Sequence, residues 1–450
     1  MHRRIVVLRE HESLRSSWME RSFAPARSKV EESIQVHGVK FDETYPPTEF
    51  IGRSTFILER PGALGFDYRA FGDLKTTPSY SLRAEFEDED AIERLKRDRS
   101  QEVVGVFADP TISIFPQPYC GAAPIGDERD VFVKLGGRTL KKIGLTGRRV
   151  RVAVVDTGID GRIVPVSGGW SPVPNYVPGS ALTGHGTMVA WDVKITAPDA
   201  RILDYALLQS TGETWTAFLS DAILAFANLM DFIQREPGSL VVNNSWGMFD
   251  RSEDAPIGSP ENYSSNPDHP FNQIVGTLVS TGADVLFAAG NCGKECPDSR
   301  CGTQDVGPGS SIHGANSHPD VLTVAAVTVT DRRLGYSSQG PGGLTRRKPD
   351  IAAFSHFRGS GVYPVDGGTS AASPVAAGVV AALRQRYSPE KLSPAGLKGL
   401  LQRTCRDIQG DGWDFDLGYG VIHAGNSVKA LGIPTTTTKE KRKKKGKKRR

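Results

Sequence analysis

Residues 367–374 read Gly-Gly-Thr-Ser-Ala-Ala-Ser-Pro, and a run of small and aliphatic side chains continues to Leu383. Small side chains allow close packing, so this stretch predicts a helix buried at the centre of a large domain. Pro374 fits the first turn of such a helix, where a missing backbone N–H costs little. Ser370 then lies at the helix N-terminus, whose free N–H groups favour a developing negative charge. The alternative is an ordinary buried helix with a serine at its cap.

A carboxylate ends an apolar run earlier in the chain. Residues 151–156 read Arg-Val-Ala-Val-Val-Asp, and Thr157-Gly158 follow as a turn, so Asp156 is expected at the end of a buried strand. The alternative is a turn that simply ends the strand. Asp-Thr-Gly also occurs in aspartic proteases, but those enzymes need two such carboxylates facing each other, and the sequence has only one.

His185 lies between two glycines, in Thr-Gly-His-Gly-Thr at residues 183–187. The glycines open the ring to a cleft, and the residues from Thr187 onward can form a helix that holds it. A neutral imidazole accepts a hydroxyl proton near pH 7 when a carboxylate holds its other nitrogen. The sequence therefore predicts His185 as the base for Ser370. A histidine in a surface loop is the alternative.

A fourth motif, Phe-Ala-Ala-Gly-Asn at residues 287–291, ends another apolar run. The side-chain NH₂ of Asn291 is expected to donate to an oxyanion beside the backbone N–H of Ser370. An asparagine in an ordinary turn is the alternative.

Short apolar runs alternate with longer helical stretches between about residues 128 and 431. This alternation predicts an α/β fold in which helices cover both faces of a parallel sheet. The carboxyl ends of parallel strands meet at one edge of a sheet, where functional groups gather. Several of the four motifs follow apolar runs and are therefore expected at that edge.

The order Asp-Thr-Gly, Gly-His-Gly-Thr, Ala-Gly-Asn and Gly-Thr-Ser-x-x-Ser-Pro resembles the subtilase family of serine proteases. Asp, His, Ser is the subtilisin order of the catalytic triad. The resemblance covers about residues 145–430 and implies a subtilisin-like fold. It also implies a serine endopeptidase with Asp156, His185 and Ser370 as the triad and Asn291 in the oxyanion hole. The substrate would be a protein or peptide bound as an extended strand.

The resemblance further implies a set of substrate-binding residues. Asn-Asn-Ser-Trp-Gly at residues 243–247 resembles one side of the cleft, and residues 209–213 resemble the other. Trp246 is bulkier than the aliphatic residue expected there, so it either reshapes the apolar subsites or belongs to the core. The full set of expected contacts is Gly212, Ser245, Trp246, Gly247, Ala289 and Gly290.

Four regions are expected along the chain. Residues 1–75 have no assigned role, and residues 76–120 predict a small α+β module that loosely resembles the family's inhibitory propeptide. Such a module is either cut off between about residues 115 and 126 or stays attached. Residues 121–433 form the subtilisin-like catalytic domain. Residues 434–450 are expected to be a disordered basic tail, because like charges at this density repel and cannot bury a core.

The basic tail determines the sign of the net charge. The chain carries +4 overall, whereas its last twelve residues alone hold ten Lys or Arg and one Glu. The tail suits contact with nucleic acid or an anionic surface, and a merely solubilising tail is the alternative. No aromatic residues interleave it to stack on bases. A protein associated with nucleic acid and a peptide-binding scaffold are the competing functions, and the intact motifs argue against the scaffold.

Cys292, Cys296 and Cys301 follow closely on Asn291. Structural zinc usually has paired, short-spaced ligands, so zinc is not expected at these three residues. A loop disulfide or reduced thiols are the alternatives. No cofactor is expected to be required and no metal ligands are assigned, although the family resemblance allows structural calcium.

The location follows from what the sequence lacks. No apolar run approaches the ~18 residues of a membrane span, and Ile5 to Leu8 falls short of the ~7–15-residue core of a signal peptide. Five cysteines, an odd and low number, fit a reducing compartment. We therefore expect a cytoplasmic protein, and we expect a monomer.

Overall fold

The computed structural model describes residues 2–9, 34–50, 79–115, 123–210, 214–309, 311–410 and 412–434. These residues form a small N-terminal module and a large α/β domain.

In its described residues, the N-terminal module is an antiparallel sheet with the helix Glu89–Asp98 packed against it. Its strands follow the order β2-β4-β1-β5, with β3 also paired to β4. The elements are β1 (His2–Arg9), β2 (Val39–Phe41), β3 (Thr48–Phe50), β4 (Ser79–Phe86), α1 (Glu89–Asp98) and β5 (Val103–Ala108). Strand β1 lies between β4 and β5 and pairs antiparallel with both.

The predicted boundary between residues 75 and 76 differs from this arrangement, because it would cut β1 away from its own sheet. The run Ile5–Leu8, too short for a signal core, is instead fully buried in β1. Its partners in β4 begin at Ser79, far along the chain from Arg9. No local pattern in the sequence marks a pairing over such a distance.

The large domain contains the remaining elements. The strands are β6 (Thr111–Ile114), β7 (Arg151–Asp156), β8 (Val166–Trp170), β9 (Arg201–Ala206), β10 (Gln209–Ser210), β11 (Trp215–Phe218), β12 (Leu240–Asn244), β13 (Trp246–Gly247), β14 (Asp284–Ala288), β15 (Leu322–Val327) and β16 (Ile351–Phe354). The α-helices are α2 (Glu128–Lys134), α3 (Gly137–Ile143), α4 (His185–Lys194), α5 (Leu219–Arg235), α6 (Pro270–Ser280), α7 (Gly368–Arg384), α8 (Pro394–Thr404) and α9 (Ala424–Ala430).

Seven of these strands form the central sheet in the order β16-β15-β14-β12-β7-β9-β8. All neighbouring pairs are parallel. Alternate residues of β7 face opposite ways: Val152 and Val154 pack with α4, α7 and α8, whereas Ala153 and Val155 pack with α5 and α6. The predicted α/β fold, with helices on both faces of a parallel sheet, is therefore confirmed.

Helix α7 is buried along its whole length, as the small residues of its sequence predict. It begins at Gly368, so Pro374 lies in the second turn and not in the first. The carbonyl of Ser370 consequently loses the hydrogen bond that the backbone N–H of residue 374 would have donated.

A second sheet of the large domain has the order β10-β11-β6-β13. Strand β6 comes from the connection that follows the N-terminal module, and it pairs antiparallel with β11 on one side and β13 on the other. The N-terminal part of the chain therefore supplies a strand to the large domain.

The two faces of β1 belong to different hydrophobic cores. Val6 and Leu8 pack with α1 inside the module. Ile5 and Val7 pack with α5 and α6 of the large domain. The module is thus docked on these two helices by the same strand that forms its centre.

Candidate active site

Three adjacent strands bring the sequence motifs to one edge of the central sheet. Strands β14, β12 and β7 are neighbours and run parallel, so their carboxyl ends meet. Asp156 is the last residue of β7, Ser245 follows β12, and Asn291 comes shortly after β14. His185 begins α4 and Ser370 lies in the first turn of α7. The edge that the sequence predicted thus holds these residues.

Asp156 and His185 form a buried hydrogen-bonded pair. The imidazole Nδ1 lies 2.7 Å from Asp156 Oδ1, and the same oxygen accepts the backbone N–H of Thr157 at 2.8 Å. Among the described residues, no polar atom lies within hydrogen-bond distance of His185 Nε2. The pair therefore holds the ring by one nitrogen and leaves the other available for proton transfer.

Gly186 allows helix α4 to approach the turn after Asp156. A Cβ at this position would lie 2.4 Å from the carbonyl oxygen of Gly158, which no real side chain tolerates. The backbone N–H of Gly186 also donates to the hydroxyl of Thr157 at 3.0 Å. The glycine next to His185 is thus needed for packing, in addition to the access predicted from the sequence.

Ser370 directs its hydroxyl at carbonyl oxygens. It donates to the carbonyl oxygen of Phe115 at 2.6 Å, and the carbonyl oxygen of Ser245 lies 3.1 Å from the same hydroxyl. The Ser245 hydroxyl in turn donates to the carbonyl of Ser370 at 3.1 Å. That carbonyl is the one left without its helical partner by Pro374, so Ser245 satisfies it and fixes the first turn of α7.

The amide of Asn291 has a defined orientation. Its Oδ1 accepts two hydrogen bonds from Thr369, from the backbone N–H at 2.9 Å and from the hydroxyl at 3.0 Å. Both groups donate, so the accepting end must be the oxygen. Sequence reasoning missed Thr369 in this role, although the residue stands inside the Gly-Thr-Ser motif.

Strand β6 and Phe115 occupy the cleft in the way an extended peptide would. The strand is paired on both sides, and the backbone N–H of Phe115 donates to the carbonyl of Ser245 at 3.2 Å. The resemblance of residues 76–120 to an inhibitory propeptide implied a module that covers the active site, but the sequence did not indicate which segment lies in the cleft.

Residues 209–213, predicted as one side of the cleft, are described only in part. Gln209–Ser210 pairs with the outer edge of β11, and β11 itself, Trp215–Phe218, borders β6. Gly212 lies outside the described residues. The contact predicted at Gly212 therefore stays a prediction.

The ring of Phe115 fills an apolar pocket beside Ser370. It packs with Phe249, at 4.9 Å between ring centroids, and with Ala288 and Cys292. A Cβ at Gly247 would lie 2.6 Å from the tip of the Phe115 ring. Gly247, predicted as a substrate contact, thus forms a wall of this pocket.

Ala289 and Gly290, predicted as contacts, act here through the backbone. The N–H of Ala289 donates to Val324 at 2.9 Å, and that of Gly290 donates to the hydroxyl of Thr369 at 3.1 Å. Both interactions hold the segment that leads to Asn291.

The ring of Trp246 lies in the core, which is one of the two alternatives left by the sequence. Its ring is fully buried, donates to the carbonyl of Val155 at 3.0 Å and packs against Phe271 and Phe287. Only its backbone borders the cleft, where it pairs with Ile114.

Arg300 contacts the strand in the cleft and was also missed. Its guanidinium donates to the Ser113 hydroxyl at 2.7 Å and to the Ile114 carbonyl at 3.2 Å. Two hydrogen bonds to Asp298, at 2.9 and 3.0 Å, hold it in place. An arginine in a loop carries no local signal that it faces a peptide.

Arg300 belongs to a loop closed by a disulfide between Cys292 and Cys301. Cys296 is disulfide-bonded as well, and Cys405 has a free thiol. A disulfide has no thiolate to offer a metal, and the described residues contain no cluster of three or more His, Cys, Asp or Glu side chains suited to one. Structural calcium remains a prediction, and the basic tail beyond residue 434 lies outside the described residues.

Comparison with known proteins identifies the family. The subtilase family model matches residues 147–420. Membrane-bound transcription factor site-1 protease of Mus musculus is 29% identical over 321 residues, which cover 65% of this chain but only 26% of that protein. Subtilisin E of Bacillus subtilis is 29% identical over 349 residues, which cover 75% of this chain and 77% of that protein.

The predicted cytoplasmic location is wrong. Relatives named as a membrane-bound transcription factor site-1 protease and as subtilisins point away from the cytoplasm. The disulfide-bonded cysteines agree, because such bonds persist in oxidising compartments. A low cysteine number was the wrong quantity to use, since it says nothing about pairing. None of the helices that the structure describes has the length and apolar character to span a bilayer.

The family model covers more than half of the chain, and its match includes the four motifs gathered at the edge of the central sheet. The chain therefore belongs to the subtilase family of serine peptidases.

Proposed function

We propose that this chain is a serine endopeptidase that cuts peptide bonds with Asp156, His185 and Ser370. The observation that supports this function best is the position of the Phe115 carbonyl, 2.6 Å from the Ser370 hydroxyl, at the end of a strand paired on both sides. This is the position expected for the reacting carbonyl of a bound substrate.

In the proposed reaction the Ser370 hydroxyl turns from the carbonyl oxygen to Nε2 of His185. It attacks the carbonyl carbon while the imidazole takes its proton, and Asp156 stabilises the resulting imidazolium. The NH₂ of Asn291 and the N–H groups at the start of α7 stabilise the oxyanion. His185 then protonates the leaving amine, and water repeats the sequence on the acyl-enzyme.

The contents of the cleft also indicate the substrate class. The pocket beside Ser370 holds an aromatic ring, and Ile112 and Ile114 are buried in the core formed by α5, α6 and their neighbours. We propose that the enzyme prefers extended segments with an aromatic residue before the cut and aliphatic residues at the second and fourth positions from it.

The test uses a fluorophosphonate probe, read by intact mass, and a chromogenic peptide anilide ending in Phe. The Phe115→Asp variant places a charge in the apolar pocket, so its strand should leave the cleft. We expect an adduct and hydrolysis in this variant and neither in Phe115→Asp with Ser370→Ala. A folded Phe115→Asp chain that gives no adduct and no hydrolysis would contradict the proposal.

A further inference from the structure

Two buried carboxyl groups lie on the segments that carry His185 and Ser370. Asp192 comes seven residues after His185 in α4, and Asp366 comes four residues before Ser370, where the chain enters α7. We propose that these two carboxyl groups share one proton, and that their hydrogen bond positions the segment leading to Ser370 against the helix that begins at His185. This inference rests on the proposed endopeptidase function, because it makes Asp192 and Asp366 positioning residues for the same triad.

Asp192 has no hydrogen-bond donor that could stabilise a negative charge. The residue is 0% exposed, and neither of its carboxyl oxygens accepts a hydrogen bond from the described residues. An ionised carboxylate that is removed from water without hydrogen bonds costs so much free energy that the group takes up a proton instead. Asp192 is therefore a neutral acid, with one O–H to donate.

The carboxyl group of Asp366 is the acceptor for this O–H. It is also 0% exposed and lies within hydrogen-bond distance of Asp192. Unlike Asp192, it accepts two hydrogen bonds from Ser360, one from the hydroxyl at 2.6 Å and one from the backbone N–H. Such donors favour the ionised form of a carboxyl group. The pair thus consists of an acid, Asp192, and a carboxylate, Asp366, joined by a charge-assisted hydrogen bond.

The surroundings of the pair hold the proton in place. Burial raises the pKa of Asp192 well above its usual range, and the negative charges of Asp366 and Glu128 raise it further. Burial also raises the pKa of Asp366, and its hydrogen bonds from Ser360 oppose that increase. Glu128 lies in α2, where it accepts the indole N–H of Trp191 at 2.9 Å. The charged groups that act on Asp192 are thus acidic, and two carboxyl groups in one buried site do not both ionise.

The hydrogen bond holds a segment that reaches the triad on both sides. Asp366 pairs antiparallel with Phe357, so it closes a hairpin that joins β16 to α7. Tyr363 lies in this hairpin, and burial followed by the negative charge of Asp156 raises its pKa, which places its ring near the catalytic carboxylate. A shift of Asp366 relative to α4 would therefore move both Ser370 and the hairpin with respect to His185.

The shared proton is tested in the full chain with Asp192→Asn, which keeps a hydrogen-bond donor but does not ionise. The exposed Asp199→Asn, just beyond α4, is the matched control. At pH 7 the infrared difference spectrum between wild type and Asp192→Asn should contain the C=O band of a protonated carboxylic acid. The difference between wild type and Asp199→Asn should lack this band.

Proton linkage gives a second measurement. The contribution of the proton to the free energy of unfolding is complete below the ordinary pKa of 3.8, and it is lost as the pH rises through the raised pKa of the folded state. Between about pH 5 and 7 the folded wild type therefore holds one proton more than its unfolded state. Its equilibrium constant for urea unfolding, divided by that of Asp192→Asn, should rise about tenfold per pH unit.

The positioning role is tested by the rate of fluorophosphonate labelling in the Phe115→Asp background. Asp192→Leu fills the same space without a donor, and it should slow labelling by up to about 100-fold, the cost of a small misplacement of reacting groups. Asp192→Asn should keep the rate of the background chain, because it restores the hydrogen bond. A role in filling space alone would make the two substitutions equal.

Two results would overturn the inference. One is the absence of the acid band at pH 7, which would mean that no proton is shared. The other is equal labelling rates in Asp192→Asn and Asp192→Leu, both folded by circular dichroism, and Asp192→Ala replaces the leucine variant if that chain does not fold. Loss of labelling in Phe115→Asp itself contradicts the proposed function and the positioning role with it, whereas the infrared and unfolding measurements decide the shared proton without any activity.

Discussion

Gly247 sets the size of the pocket that holds the Phe115 ring. A Cβ there would come within 2.6 Å of the ring and 3.0 Å of the Asn316 amide. We expect Gly247→Ala in the Phe115→Asp background to lower kcat/KM for an anilide ending in Phe. Compared with the loss of kcat/KM for an anilide ending in Ala, the loss for the Phe anilide should be roughly 10- to 200-fold larger. This is the range for one methylene-sized change in an apolar pocket.

Gly399→Ala is a suitable control for this prediction. The same methyl group added in α8 meets only the Arg403 side chain within 4 Å. Equal losses for the Phe and Ala anilides in Gly247→Ala would show that the substitution disturbs the site generally and that the pocket does not select by size.

At the residue scale the sequence predicted much of the candidate site. Asp156, His185 and Ser370 lie in short strings whose residue types follow from local chemistry, and the structure places Asp156 against His185 at 2.7 Å. Trp246 shows where such reasoning stops. Its position in the chain does not reveal that the backbone faces the cleft while the ring enters the core, because that depends on the twist of two neighbouring sheets.

At the scale of elements, the loop from Cys292 to Cys301 presents Arg300 to the peptide. Arg300→Ala removes hydrogen bonds from a charged donor to the residues second and third from the cut, worth about 1.5 kcal/mol at a partly exposed site. In the Phe115→Asp background we expect KM for a tetrapeptide anilide to rise about tenfold with kcat unchanged.

A single-residue Phe anilide provides the internal control, because it lacks the groups that Arg300 binds. Its KM should not change. The Cys292→Ser, Cys301→Ser double variant should raise KM for the tetrapeptide in the same way and add little to Arg300→Ala, since both changes act through the same loop. Fully additive effects would mean that the disulfide acts on the site by another route.

Element prediction succeeded where the pattern was local. The alternation of apolar runs and helices indicated the parallel sheet and the buried helix α7. The strand β11, which borders β6, was not singled out from the sequence, because short strands lack a distinctive repeat.

At the scale of the whole molecule, two buried groups where the module meets the large domain titrate in opposite directions. Burial raises the pKa of Asp109 to about 6, against the opposing effects of Arg83 and Ser220. Burial lowers the pKa of His269 to about 4, although its ring contacts the Ala108 carbonyl at 2.9 Å. Asp109 therefore favours the folded state at low pH, and His269 favours it at high pH.

The signs follow from proton linkage. The contribution of Asp109 to the free energy of unfolding is complete below its ordinary pKa of 3.8, and it is lost as the pH rises through about 6. That of His269 is complete above its ordinary pKa of 6.5 and is lost as pH falls through about 4. Between about pH 4 and pH 6 the two contributions to the free energy of unfolding change in opposite directions. In the wild type each change therefore hides the other.

Single substitutions should unmask them in urea unfolding measured from about pH 3.5 to 7.5. Relative to wild type, Asp109→Asn should gain free energy of unfolding as pH rises, by up to about 1.4 kcal/mol per pH unit. Relative to wild type, His269→Gln should lose free energy of unfolding as the pH rises over the same interval. The exposed Asp98→Asn serves as the control and should follow the wild-type profile. Parallel profiles for all four chains would refute the opposed titration.

The organisation of the whole molecule was the hardest part to predict. The pairing of His2–Arg9 with β4 and β5 joins residues that are distant in the chain, and hydrophobic periodicity says nothing about which strands meet. The identity of the segment that lies in the cleft was hidden for the same reason. The sequence of Thr111–Ile114 does not reveal its place in the cleft, which follows only from its two neighbours, β11 and β13.

The packing of the two faces of β1 into different hydrophobic cores has a consequence during translation. Its residues leave the ribosome before every element they contact, since β4 and β5 follow by residue 108 and the helices that cover Ile5 and Val7 end only at residues 235 and 280. At 5–20 residues per second the wait lasts roughly 10–60 s. During that wait Ile5 and Val7, whose side chains pack on those two helices in the folded protein, stay exposed on the nascent chain, where a chaperone can hold them.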